Sequence, residues 1–119
     1  SALAVLHVPL PPIVDEFVIR LGGQVEVAKY GFPGSQELAN NVVEALGPRN
    51  AVFLANHGAL CCGPSLDIAL HNARLLERVA HIYLLAAAAG GKKNLTTIPQ
   101  DAIDTQQQMF ELLKGIKKR

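Results

Sequence analysis

Ala51-Val52-Phe53-Leu54-Ala55-Asn56-His57-Gly58-Ala59-Leu60-Cys61-Cys62 is the stretch whose reading decides the fold. Its first five residues form an unbroken apolar run, which is what a strand covered on both faces requires. Asn56-His57-Gly58 interrupts the run, and Ala59 to Cys62 resumes it before Gly63-Pro64. The pattern predicts a hairpin, or a strand with a sharp kink, at His57.

Upstream of this strand, Gly47-Pro48 ends a helix that Ser35 opens as N-cap. Glu37 lies in its first turn, where the helix dipole favours negative charge. Leu38, Val42 and Ala45 fall on one face of that helix. Before it, Val25 to Tyr30 reads as a weakly alternating strand and Gly31-Phe32-Pro33-Gly34 as a loop. Ile13 to Leu21 reads as a short helix stopped by Gly22-Gly23, and Pro9, Pro11 and Pro12 stop the apolar segment before it.

Downstream, Ser65 caps the longest element, roughly Leu66 to Ala89, closed by Gly90-Gly91. Leu66, Ala69, Ala73, Leu76, Ala80, Tyr83 and Ala87 recur at three- and four-residue steps and predict its apolar stripe. Asp67, His71, Arg74, Arg78 and His81 follow the same steps on another side. After Ile82 the helix is apolar all round, so its last turns are expected to be buried or in a subunit interface. A final helix, about Asp101 to Lys114, carries Ile103, Met109, Phe110 and Leu113 as anchors.

Strands alternating with helices in one piece imply an α/β layered fold, a sheet flanked by helices. Three strands with four or five helices leave sheet edges unpaired unless another segment supplies partners. Ser1 to Leu6 is periodic and apolar from its first residue, without a starting Met. Both features lead to the expectation that the chain is the downstream piece of a longer domain or has lost a leader.

Half of the 119 residues are hydrophobic (50%) and the formal net charge is +1, which excludes a disordered chain. The near-neutral balance gives no footprint for nucleic acid. The sole basic cluster, Lys117-Lys118-Arg119, is expected to be a solvated end. No apolar run approaches the ~18 residues a membrane span needs, and no basic segment precedes Ser1 to Leu6 as a signal peptide would require. Cys61 and Cys62 are adjacent and form neither a disulfide framework nor a CxxC motif, so they read as reduced thiols of a cytoplasmic protein.

His57 is the candidate site residue. It stands at the end of an apolar strand, where a rigid scaffold presents a side chain, and neutral imidazole is a good metal ligand. It is therefore expected to project into an open concavity. The alternative is a histidine bonded within its own turn. His71 and His81 are ten residues apart on one helix and cannot form an i, i+4 pair; with Asp67 and Glu77 they read as a charge network. His7, among prolines, reads as structural. Gly31 to Ser35 resembles an anion-binding loop only weakly.

Several of these pieces, in order, resemble the class II aldolase/adducin family, which includes fuculose-phosphate aldolases and ribulose-phosphate 4-epimerases. They are Ala2-Leu3-Ala4-Val5, Pro11-Pro12, Gly22-Gly23, Tyr30-Gly31-Phe32-Pro33-Gly34-Ser35-Gln36-Glu37-Leu38-Ala39, Ala51 to Gly58, and the long helix with Leu76-Glu77. The resemblance covers residues 1 to 91. It implies that His57 is one ligand of a catalytic divalent ion, zinc or else manganese or cobalt. The other two ligands would come from a His-x-His motif just upstream of the segment matching Ser1, as would the acid/base glutamate, so no catalytic residue is assigned here. Residues 1–119 are then expected to be the C-terminal portion of a single domain and to be inactive alone. The resemblance further implies a small sugar-phosphate or hydroxycarbonyl substrate, retro-aldol cleavage and a cytoplasmic homotetramer. Ribulose-phosphate 4-epimerase activity and an adducin-like association domain without catalysis stand as alternatives.

Overall fold

The computed structural model describes residues 1–117, the last two by backbone alone. Of the basic tail, Lys118, Arg119 and the Lys117 side chain lie outside the described residues. The elements run α1 (Ala2–Leu6), α2 (Phe17–Leu21), β1 (Val27–Ala28), α3 (Gln36–Leu46), β2 (Ala51–Leu54), β3 (Gly58–Cys61), α4 (Leu66–Gly90), a 3-10 turn (Lys92–Asn94) and α5 (Gln100–Lys117). The expected α/β layered architecture is present, in three strands ordered β1-β2-β3.

β2 is the centre of the sheet. It pairs parallel with β1, Val27 opposite Phe53, and antiparallel with β3, Phe53 opposite Ala59. All four of its residues are buried, because each face has its own layer of helices. Ala51 and Phe53 join the larger core with Leu3 of α1, Phe17 and Leu21 of α2, and Leu76 and Val79 of α4. Val52 and Leu54 face the other way, against Leu38, Val42 and Ala45 of α3. The helical face read from the spacing of those three residues is the face that docks.

Two caps form as expected: the Ser35 hydroxyl accepts from the Leu38 N–H at 3.1 Å, and Ser65 from the Ile68 N–H at 3.2 Å. Elsewhere the structure corrects the reading. The helix expected over 13–21 is only Phe17–Leu21. The chain bends through 14–16, and Glu16 takes a left-handed φ of 77°. The strand expected over 25–30 shrinks to Val27–Ala28, while Val25 makes an isolated bridge to Leu10.

On α4 the buried face is Asn72, Leu75, Leu76, Val79, Ala80 and Tyr83. Leu66, placed on the stripe by periodicity, is 90% exposed, because it precedes the part of the helix that crosses the core. The last turns are not buried within this chain, since Leu85 is 60% exposed. On α5 Phe110 is buried and Ile103 packs on the core, whereas Met109 and Leu113 are exposed. The Phe110 ring lies against Gly22, where a Cβ would come within 2.8 Å of it.

Candidate functional site

The β2–β3 hairpin turns through Ala55, Asn56 and His57. The His57 N–H donates to the Leu54 carbonyl at 3.0 Å and closes the turn. Asn56 has a left-handed φ of 56°, a conformation that asparagine tolerates better than most residues. Its N–H donates to the Ala4 carbonyl at 3.0 Å, and its side-chain oxygen bonds His7 Nε2 at 2.5 Å. With an amide oxygen as acceptor, the proton of that bond sits on Nε2. His7 is itself left-handed, φ 56°, and ends α1 by donating its N–H to the Leu3 carbonyl.

The end of α1 is thus clasped to the hairpin turn by one backbone and one side-chain bond. His57 is the next residue. It is exposed, and no hydrogen bond engages its ring among the described residues. A turn held from both sides fixes the backbone of His57 and leaves its unbonded imidazole available to a ligand. The expected open presentation is observed. Neither of the two clefts described on the chain includes His57, so the expected concavity is not seen among them.

Among the described residues no group of three or more His, Cys, Asp or Glu is placed to hold a metal ion. The chain fits one ligand of a metal site and does not by itself fit a site. His71 and His81 lie exposed on α4, and the expected Asp67–His71 and Glu77–His81 pairs are absent from the described ion pairs. Glu77 instead accepts from the Ser1 hydroxyl at 2.7 Å. His7 does have a structural role. Sequence reasoning missed its partner, because a contact across 49 residues leaves no local signal.

Cys61 sits half-buried on β3 against the larger core. Burial, and then the neighbouring Cys62 and Glu77, push its thiol from 9.0 up to about 11. Between those values the unfolded thiol ionises before the folded one, so unfolding releases a proton and stability falls as pH rises. Alkylation of Cys61 followed by mass spectrometry should therefore stay slow until pH approaches 11. The denaturation midpoint should fall between pH 9 and 11 by more than it does in Cys61→Ser. Fast labelling of Cys61 at pH 8 would contradict this.

Residues 1–84 match the family described as Class II Aldolase and Adducin N-terminal domain. The chain belongs to this family. An L-fuculose phosphate aldolase of Escherichia coli is 33% identical over 88 residues, covering 74% of this chain and 41% of that protein. A 5-deoxy-D-ribulose 1-phosphate aldolase of Bacillus thuringiensis is 31% identical over 100 residues, covering 84% of this chain and 46% of that protein. A solved L-fuculose 1-phosphate aldolase superposes with a TM-score of 0.80 at 34% identity, over 92% of this chain and 50% of that one. The chain spans half or less of the length of these relatives. The family match over residues 1–84 thus covers the sheet, the clasped turn and most of α4.

Proposed function

We propose that the protein containing this chain is a metal-dependent lyase that cleaves a carbon–carbon bond in a small phosphorylated hydroxycarbonyl compound. The observation that supports the reading is His57 itself, an exposed imidazole without a bonding partner on a doubly tethered turn, in a family whose compared relatives are named aldolases of sugar phosphates. His57 would serve as one ligand of a divalent ion, zinc in the first place and otherwise manganese or cobalt. The remaining ligands and the acid/base group would come from outside residues 1–119, which form the C-terminal portion of the domain in this reading. An ion so held supplies Lewis acidity toward neighbouring substrate oxygens.

This chain's own contribution is geometric. β2 anchors the turn in the core, the α1 clasp fixes its backbone, and the ring is left free to bind. Alone, these residues should hold zinc weakly and cleave no sugar phosphate, because a catalytic zinc needs ~3 protein ligands. A cytoplasmic homotetramer belongs to the same proposal, with the exposed apolar end of α4, Ile82 and Leu85, as a surface suited to subunit contact. Among the described residues, no helix is long and apolar enough to cross a membrane.

The test is His57→Ala in the full-length protein. Compared in their metal-free forms, parent and variant should differ in stability by no more than about 0.5 kcal/mol, because the side chain is exposed and makes no hydrogen bond among the described residues. Bound metal should nevertheless fall from stoichiometric to trace, and retro-aldol turnover by about 100-fold or more. Unchanged metal content and turnover in the variant would refute the assignment. A full-length protein that holds no metal and cleaves no sugar phosphate would favour a non-catalytic association domain.

A further inference from the structure

His7 and Asn56 both hold a left-handed backbone, each with φ 56°, and each stands where a glycine would be the ordinary choice. His7 ends α1, a helix-end position that left-handed glycine commonly fills. Asn56 is the third residue of the turn that the His57 N–H closes on the Leu54 carbonyl. Turns with a positive φ at that position favour glycine or asparagine. Glycine would meet either backbone angle without strain. What it could not supply is the bond between the two side chains, His7 Nε2 to Asn56 Oδ1 at 2.5 Å.

That bond adds a second constraint to the turn. The Asn56 N–H already donates to the Ala4 carbonyl at 3.0 Å, but a single hydrogen bond leaves a peptide free to rock about it. A second bond, from the side chain of the same residue to the end of the same helix, removes that freedom. The rocking it stops would swing the next residue, which is His57. Both partners are exposed, so the bond weighs little in overall stability. Its effect is local.

We propose that His7 is a positioning residue for His57, holding Asn56 so that the imidazole keeps one direction. The proposal rests on the reading of His57 as a metal ligand. Removing a group that orients a ligand side chain lowers metal affinity by about 10- to 100-fold, and His7, acting through Asn56, belongs at the lower end of that range.

The experiment compares the full-length protein with His7→Ala, His7→Gln and Asn56→Gly. Asn56→Gly keeps the backbone angle of the turn and loses the clasp, whereas Gln at position 7 can still present an N–H to Asn56. Zinc affinity, measured by competition with a chelator, should fall about tenfold in His7→Ala and in Asn56→Gly. It should recover in His7→Gln. In the metal-free protein, hydrogen exchange at the His57 amide should speed up in the first two variants and return to the parent rate in His7→Gln. The thermal midpoint should stay close to that of the parent in all three. Parent-like exchange in His7→Ala, or unchanged zinc affinity, would overturn the proposal, as would a loss in His7→Ala that Asn56→Gly does not share. A parent protein that binds no zinc would refute the ligand reading instead, and exchange in the metal-free protein would still decide whether His7 holds the turn.

Discussion

Phe53→Ala should cost the protein about 3–5 kcal/mol, the range for truncating a buried aromatic side chain. Folded domains have only about 5–15 kcal/mol in total, so the variant is expected to be near its unfolding limit. Phe53 is fully buried at the middle of the central strand, and its N–H donates to the Glu26 carbonyl at 2.9 Å. Its neighbours on that face cannot close the void. Ala51 is small, and Phe17 and Leu21 are held on α2, Leu76 and Val79 on α4. Because β2 runs directly into the turn carrying His57, the same change should loosen the presentation of that ring. Urea denaturation of the variant measures the loss, with Phe32→Ala as control. Phe32 is 72% exposed, so its truncation should cost no more than about 0.5 kcal/mol. A loss below about 1 kcal/mol for Phe53→Ala would mean that the sheet is not organised around β2.

What could be read in advance follows from which forces act locally. The Ser35 and Ser65 caps involve bonds three residues long, and both were legible. The hairpin at His57 was legible because an apolar run broken by Asn-His-Gly admits few conformations. The apolar stripe of α4 was read in part. Periodicity places Leu76, Ala80 and Tyr83 correctly, but which turns cross the core depends on where β2 and α2 lie, so Leu66 was misplaced and Leu75 and Val79 were missed. Val25 to Tyr30 yields only two strand residues, because bridging Val25 to Leu10 uses the chain before β1 in a different pairing. The His7–Asn56 clasp has no signature in either residue's neighbours. His57 as an exposed side chain was legible; the remainder of a metal site was not, since the described residues supply no other ligands that converge on it.

Gly31→Ala should be the most damaging change among the loop glycines, and space rather than backbone angle is the reason. A Cβ at Gly31 would sit 2.6 Å from Leu38 Cα and 2.7 Å from its nitrogen. Those are backbone atoms of the first turn of α3 and cannot rotate aside as a side chain would. Leu38 N–H is also the group that the Ser35 hydroxyl caps, so displacing it strains the cap as well. The loop has little freedom to yield in the other direction, because Asn41 Nδ2 holds the Lys29 carbonyl at 3.2 Å. Overpacking of this kind costs about 1–3 kcal/mol, and loss of a cap about 1 more. Gly34 provides the contrast: its φ of +85° penalises any side chain, yet nothing lies within 4 Å of a Cβ there. Gly34→Ala should therefore cost only the conformational penalty, about 1–2 kcal/mol. Hydrogen exchange at the Leu38 amide separates the two effects. It should speed up in Gly31→Ala and stay near the parent rate in Gly34→Ala. If both variants lose the same stability and leave that amide protected, the close approach of Gly31 to α3 is not what fixes this loop.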